Sequence, residues 1–308
     1  LKKPKILLIP DVPEWAQDKR ADNIIKYASH KYEFTKIYDE QICKIDYDEW
    51  DLIMVFPWNS CNRLPKPIKR EKLIAGLNSY RTWQDIGKKE VVSILNDHYG
   101  AIAPICKDLF NEFDGWIDNI FYTPNGVDTG VYHDSSRRNL RRDRLVFGWL
   151  GKEGKDSGKN CDSVLIPAFN EVKSVDFRPI IVGRDGRKPL VGSKIIEYYN
   201  SIHFIVCAST TEGGSNTILE GISCGCSLLS TMTGNVIEFG APGYNYVYTD
   251  PTIESFVKSI KWINENRDVL DSMRDSITHK IRSLWSWDVN ILNYINMFDK
   301  ILEKNRSL

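Results

Sequence analysis

No stretch of this 308-residue chain approaches the roughly 20 consecutive apolar residues that a membrane-spanning helix requires. The opening Leu1–Ile9 is basic and then apolar, but Pro10 and Asp11 end the apolar run too early for a secretion signal, so a buried first strand is expected. The chain begins at Leu1 rather than Met, as a segment of a longer protein would. Net charge is also lacking: Lys plus Arg and Asp plus Glu are both 41, so the overall field favours no polyanionic partner, and no nucleic-acid motif is present. The seven cysteines are odd in number, scattered, and contain no Cys-x-x-Cys pair, which excludes a disulfide framework and suits reduced, buried thiols of a cytoplasmic protein. Cys224-Gly-Cys226 has no His or Cys partner at ligand spacing, so packing is expected there rather than a metal. A Gly-x-Gly-x-x-Gly after the first strand is missing too, which argues against a dinucleotide oxidoreductase.

What the chain has is a recurrence of short apolar runs, each followed by a stretch of helical character. In the first half these are Lys5–Ile9, Leu52–Phe56, Lys72–Leu77, Ala101–Ile105 and Ile120–Thr123. In the second they are Leu145–Leu150, Pro179–Val182, His203–Ala208, Ser227–Thr231 and Tyr246–Tyr248. Runs without clean polar alternation are the mark of strands buried on both faces. Helices are expected between them, over Ala21–His30, Cys161–Lys173, Ile253–Asn266 and Val269–Leu284. Strand and helix in alternation mean an α/β protein with parallel sheets. The polar, highly charged stretch Asp134–Arg144 reads as a linker. The expected domains are therefore 1–134 and 145–288, with a last helix in 289–308 free to pack on either.

One segment carries chemistry. A buried strand, His203–Ala208, runs into Ser209-Thr-Thr-Glu-Gly-Gly-Ser215, and helix spacing resumes at Asn216-Thr-Ile-Leu-Glu-Gly-Ile-Ser-Cys-Gly225. Ser215 or Asn216 suits the cap, and Gly213 and Gly214 let a ligand approach the backbone. A helix start offers amides and the positive end of a dipole, which favour a phosphate around Ser215, Asn216 and Thr217. Glu220, one turn inside, can accept from the two hydroxyls of a ribose, and Glu212 sits near whatever lies beyond the phosphates. The plainer reading is a Gly-rich strand–helix turn with one surface and one capping Glu. Gly221 and Gly225, inside or ending the helix, weigh against it, since each costs about 1 kcal/mol in a helix interior unless close packing or ligand approach requires it.

The segment resembles the Glu-x7-Glu signature of retaining GT-B glycosyltransferases, family 4 above all. That group reads S-x-x-E-G-x-x-x-x-x-L-E-A-x-x-x-G-x-P, then a strand and G-x-x-E. Ser209, Glu212, Gly213, Leu219, Glu220, Gly225, Gly234 and Glu238 fall at matching places, while Gly221 replaces Ala and Ser227 replaces Pro. Thr123-Pro-Asn-Gly-Val-Asp128, Phe147-Gly-Trp-Leu-Gly151, Lys159-Asn160, Ile180-Ile-Val-Gly183 and Ser286-Trp287 are similar to other family segments, in order. The resemblance implies two Rossmann-like domains facing a central cleft, a nucleoside-diphosphate-sugar co-substrate and a glycan or lipid-linked acceptor. It also implies retention of anomeric configuration, no obligatory metal and no other cofactor. Glu212 would hold the donor sugar, and Lys159 would neutralise charge growing on the β-phosphate. Gly151, Lys155 and Arg184 stand where the pyrophosphate is gripped, although the family's usual Arg has no clear counterpart between Gly151 and Lys155. No dedicated general base is evident, and in retaining enzymes of this kind the leaving phosphate takes the acceptor's proton.

The N-terminal half departs further. Its first loop, Pro10-Asp-Val-Pro-Glu-Trp-Ala16, lacks the family's glycines; Asp11, Glu14 and Trp15 either face an acceptor or form a Pro-rigidified loop with Trp15 packed on the helix. The His that some members carry after a middle strand is missing from Leu77-Asn-Ser-Tyr-Arg81. Asp46-Tyr-Asp48 has the Asp-x-Asp spacing of GT-A metal sites but precedes its strand instead of following it. Basic clusters at Lys66–Lys72 and Arg137–Arg144 suit an anionic lipid-linked acceptor or peripheral contact at the inner membrane face, and equally a solvated surface. An epimerase on the same fold and a non-catalytic sugar-nucleotide-binding scaffold are the alternatives to transfer.

Overall fold

The computed structural model describes residues 2–64, 68–80, 86–135, 143–153 and 158–307. The chain divides into two compact units, one of Leu1–Gly126 with Trp287–Leu308 and the other of Val127–Ser286. The first crossing thus falls after Gly126, before the charged 134–144 segment, and 136–142 within that segment lie outside the described residues.

The first unit is built on β1 (Lys5–Ile9), β2 (Glu33–Lys36), β3 (Leu52–Val55), β4 (Leu73–Leu77) and β5 (Ala101–Pro104). They pair in parallel in the order β2-β1-β3-β4-β5. Helices α1 (Ala16–Ala28), α2 (Lys88–His98), α3 (Lys107–Phe113) and the C-terminal α9 (Trp287–Arg306) cover it. Alternate strand residues face opposite ways, and both sets are buried. Leu7, Ile9, Ile53 and Val55 pack with Val91, Leu95, Leu109 and Phe113 of α2 and α3. Ile6, Leu8, Met54 and Phe56 pack with Ala21 and Ile24 of α1 and with Trp287, Tyr294 and Phe298 of α9.

Arg20, only 2% exposed, locks this second layer. Its Nε donates to the Tyr294 hydroxyl at 2.5 Å, Nη1 to Asn78 Oδ1 at 2.5 Å, and Nη2 to the Thr123 carbonyl and hydroxyl at 3.0 Å. A planar fork with several fixed donors can tie α1, the end of β4 and α9 together in this way, where Lys offers only a point charge. At the chain crossing, Gly126 has no room for a side chain, because a Cβ there would stand 2.8 Å from the Trp287 backbone.

The second unit contains β6 (Val146–Lys152), β7 (Asp176–Val182), β8 (Phe204–Cys207), β9 (Ser227–Ser230) and the short β10 (Val247–Tyr248). These are parallel in the order β10-β9-β8-β6-β7. Its helices are α4 (Ile166–Glu171, led in by a π turn over Cys161–Leu165), α5 (Ser193–Asn200), α6 (Asn216–Ser223), α7 (Ile253–Glu265) and α8 (Arg267–Leu284). Phe147, Phe204 and Leu229 face α4 and α7 on one side, and Ile205, Cys207 and Leu228 face α5, α6 and α8 on the other.

Several sequence expectations need correction. Ile120–Thr123 forms a single parallel bridge, Ile120 to Ile102, rather than a strand. Helix α1 begins at Ala16, five residues before the expected Ala21, because the chain turns directly out of the Pro13 loop. Gly225, expected inside the helix or at its end, lies just past the end of α6 at φ +79° and terminates it. Gly221 is interior, and a Cβ there would press on Ile205 at 3.2 Å, which makes it a packing glycine. The thiols of Cys106, Cys161, Cys207, Cys224 and Cys226 are buried.

Candidate functional site

The loop from Ser209 to Ser215 leaves β8 at the carboxyl edge of the second sheet, the edge at which open parallel sheets bind ligands. Three neighbours pin it. Asn160 Nδ2 donates to the Ala208 carbonyl at 2.9 Å, Thr231 Oγ1 to the Ser209 carbonyl at 2.7 Å, and the Thr210 amide to the Gly158 carbonyl at 2.9 Å. From below, Gly234 at φ +55° lies so close that a Cβ would stand 2.4 Å from the Gly213 carbonyl oxygen. Only glycine meets both demands, a left-handed backbone and no side chain.

Pinning 158–160 to this loop brings Lys159 to Glu212. Lys159 Nζ lies 3.2 Å from Glu212 Oε1, and Ser209 Oγ donates to the same oxygen at 2.9 Å. The Glu212 carboxylate holds the Lys159 ammonium above the ordinary lysine range, outweighing the opposing effect of burial. Lys159 therefore stays charged through neutral and mildly alkaline pH. Asn160 carries the turn in a left-handed conformation at φ 57°, and its carbonyl accepts from both Val164 and Leu165 at 3.1 Å. This shared acceptor is the start of the π turn, an irregularity that is frequent at functional sites.

Gly213 and Gly214 lead to Ser215, which is the N-cap residue of α6 by position but makes no side-chain capping bond. The expected cap is thus corrected: Ser215 Oγ instead pairs with Thr217 Oγ1 at 3.1 Å, and the Ser215 amide donates to Asn235 Oδ1 at 3.4 Å. Without a capping side chain, the first-turn amides of Thr217 and Ile218 have no partner among the described residues. Such amides are an anion's natural ligands. Glu220 lies further along α6, 6% exposed, with its Oε2 accepting from the Tyr199 hydroxyl at 2.8 Å.

Beside the Lys159–Glu212 pair, a concavity of about 480 Å³ opens between the end of β6 and the start of the π turn. Arg184 lines it but is ion-paired with Asp162, while Glu153 accepts from the Cys161 amide at 3.3 Å. Gly151, one residue before the end of β6, leaves no room for a side chain, since a Cβ there would meet the Trp149 ring at 2.9 Å. Lys155 lies outside the described residues. The structure thus joins Lys159, Glu212 and the 213–217 backbone, and commits Arg184 to a carboxylate of its own.

In the first unit, Glu14 takes the left-handed conformation at φ 65°, its amide donating to Asp18 Oδ2 at 2.8 Å. Asp11 Oδ1 accepts from the Val12 amide, and Trp15, 39% exposed, stands at the start of α1 with its ring in solvent contact. Asp46 accepts from the Asp48 amide at 3.0 Å as a local helix cap. No group of three or more His, Cys, Asp or Glu able to hold a metal occurs among the described residues. No helix among them is long and apolar enough to cross a membrane.

Sequence reasoning gave no role at this site to Tyr199, Tyr132, Asn235 or Thr231. Each comes from another element, and none carries a local signal; the αL position of Asn160 was legible only as the residue beside Lys159.

Comparison with known proteins agrees with this geometry. Residues 164–282 match the family model of glycosyl transferases group 1. No curated protein matches by sequence. Among solved structures, sucrose-phosphate synthase from Thermosynechococcus elongatus superposes with a TM-score of 0.77 at 10% identity, over 98% of this chain and 100% of that one. HepE from Anabaena, solved with UDP and glucose, gives 0.72 at 14% identity over 99% and 100%. A glycosyltransferase from Rickettsia africae gives 0.69 at 14% over 98% and 99%. These likenesses establish the fold, GT-B with two Rossmann-like parallel-sheet units, and the family match over residues 164–282 lies within the second of them.

Proposed function

We propose that this chain is a glycosyltransferase that moves a hexose from a nucleoside-diphosphate-sugar to a glycan or lipid-linked acceptor, with retention of configuration and without an obligatory metal. The observation that carries the reading is the union of Lys159, Glu212 and the start of α6 at one sheet edge. The HepE structures contain UDP and UDP-glucose, so a UDP-sugar is the first donor to test.

In this proposal the diphosphate lies against the first-turn amides of Thr217 and Ile218 and beside Lys159. As the glycosidic bond breaks, negative charge grows on the β-phosphate, and fixed dipoles and an ammonium already in place stabilise it without reorganisation. Glu212 holds the donor sugar and, before donor arrives, keeps Lys159 in position. Glu220 receives the ribose hydroxyls. With the positive charge supplied by Lys159 and backbone dipoles, the leaving phosphate itself takes the acceptor's proton. Asp11, Glu14 and Trp15 are assigned to the acceptor; the strained Glu14 backbone and exposed Trp15 support this, since left-handed non-glycine residues cluster at functional positions.

A thermal-shift screen against UDP-, GDP- and ADP-sugars tests the donor, because ligand at 100 times its dissociation constant adds about 2.7 kcal/mol of stability. Glu212→Ala and Glu220→Ala should each sharply reduce transfer while leaving a cooperative melt, and full activity in either variant would sink the assignment. Anomeric analysis of the product by NMR tests retention.

Peripheral contact with an anionic membrane completes the proposal. One concavity of about 820 Å³ in the first unit is lined by Lys2, Lys3, Lys5, Lys69, Lys72 and Arg306 against three carboxylates. Co-sedimentation with phosphatidylglycerol vesicles that fades with salt is the expected result; equal binding to phosphatidylcholine would remove the electrostatic basis.

A further inference from the structure

Glu220 is buried in the second unit, and its carboxylate accepts from a tyrosine hydroxyl. Tyr199, fully buried on α5, donates to Oε2 at 2.8 Å. The Tyr132 ring sits edge-on to that of Tyr199 at 6.2 Å, and the charge of Glu220 acts on its hydroxyl. Both tyrosines are themselves anchored. The Tyr132 carbonyl accepts from Ser223 Oγ at 2.6 Å, at the far end of α6, and the Tyr199 carbonyl accepts from Cys226 Sγ at 3.3 Å.

We propose that Tyr199, with Tyr132 beside it, is a positioning residue that holds the Glu220 carboxylate for the 2′- and 3′-hydroxyls of the donor ribose, and so sets a preference for ribonucleotides over 2′-deoxyribonucleotides. The inference rests on the reading of Glu220 as the ribose ligand.

The acceptor count supports it. An ionised carboxylate has about four lone-pair sites. One donated bond, from Tyr199 at 2.8 Å, orients the carboxylate without exhausting that capacity. Burial, followed by the charge of Glu220, pushes both phenols above the ordinary tyrosine range, so they remain donors at every pH where the protein is folded. A carboxylate fixed in this way has little freedom to turn toward water when one diol hydroxyl is missing. A site built to bond a hydroxyl discriminates against the analogue lacking it, because its buried acceptor is left unpaired. Released from Tyr199, Glu220 can find another partner, and the penalty for the missing hydroxyl shrinks.

The test uses the full chain and whichever of UDP, GDP and ADP gives the largest thermal shift, together with its 2′-deoxy counterpart. Dissociation constants are measured by calorimetry for the unaltered chain and for Tyr199→Phe, Tyr132→Phe and Glu220→Gln, and donor KM and kcat by transfer assay. The expected result is a ribo-to-deoxy ratio that falls about tenfold in Tyr199→Phe, less in Tyr132→Phe and most in Glu220→Gln. Donor KM rises with it, and kcat moves little, because Tyr199 touches no reacting atom. A ratio that falls in Glu220→Gln but stays at the unaltered value in both tyrosine variants overturns the proposal and leaves the Glu220 reading standing. A ratio that Glu220→Gln does not change overturns the ribose reading itself, and the proposal with it. The same follows if none of the three nucleotides binds. Loss of folding in Tyr199→Phe leaves Tyr132→Phe to decide by the same ratio.

Discussion

Two charged clusters decide what single residues do here, one in each unit. At the site, Lys159→Met should lower kcat by on the order of 10²- to 10³-fold, the usual cost of removing one stabiliser of transition-state charge. Lys159→Arg should recover part of it, read by initial rates at saturating donor. In the first unit, Asp18 is buried against Lys36 at 2.6 Å and also accepts from the Glu14 amide and the Tyr38 hydroxyl. Burial alone would raise its pKa, but Lys36 and the other donors outweigh it and hold the carboxyl below the usual range. A depressed folded pKa stabilises above the unfolded value near 3.9, and that contribution disappears as pH falls through the folded value. Asp18→Asn should therefore destabilise the chain at pH 7, by about 1–3 kcal/mol for the buried donors left unmatched, and the difference from the unaltered chain should narrow as pH falls below the unfolded value. Urea melts across that range check it; a constant difference at all pH would assign the loss to packing. The two clusters differ in legibility. Glu212 was visible in sequence from the strand–loop–helix pattern around it, and Lys159 through the resemblance of Lys159-Asn160 to a family segment. The Asp18–Lys36 pair was not, because eighteen residues and a helix-to-strand reversal separate them.

Among the elements, those buried on both faces were readable and those at edges were not. β1, β3 and β4 are apolar at nearly every position, since a central parallel strand has no solvent side. β2, Glu-Phe-Thr-Lys at the sheet's edge, keeps polar residues and reads as loop. Helices α2 and α5 begin after Gly87 and Gly192, neither of which signals a start as Ser or Asp would. For the site, the sequence placed the loop and α6 correctly but supplied a side-chain cap that the structure does not have, since an uncapped helix start and a capped one share the same residues. What the loop's shape requires is Gly234, in the following turn. Gly234→Ala would place a methyl 2.4 Å from the Gly213 carbonyl at a positive φ, so the Glu212–Gly213 backbone must shift. A displacement of about 1 Å at a binding loop can cost on the order of 100-fold in rate. The variant should lose donor affinity and kcat together while its melting temperature falls only a few degrees, and an unchanged donor dissociation constant would show that the contact does not shape the site.

For the whole molecule, the division into two units makes the last helix decisive. Although α9 follows α8 directly in sequence, its apolar face lies in the core of the first unit, with Trp287, Tyr294, Met297 and Phe298 against Ile6, Leu8, Met54 and Phe56. Ile277 and Ile281 of α8, only a few residues earlier, belong to the core of the second. Amphipathic spacing alone could not assign α9, because an apolar face names no partner. Phe298 is fully buried and stacks edge-on with Tyr32 at 5.5 Å. Phe298→Ala should cost about 3–5 kcal/mol, the range for deleting a buried aromatic ring. If each unit opens as its own cooperative body, that loss is confined to the first. Native-state hydrogen exchange should then show faster exchange at amides of 1–126 and 287–308, with β6, β8 and α6 protected as before. Donor binding, which the proposal assigns to the second unit, should persist at denaturant concentrations that already unfold the first. Uniform acceleration across both sets of amides would mean that the chain unfolds as one body despite its two cores.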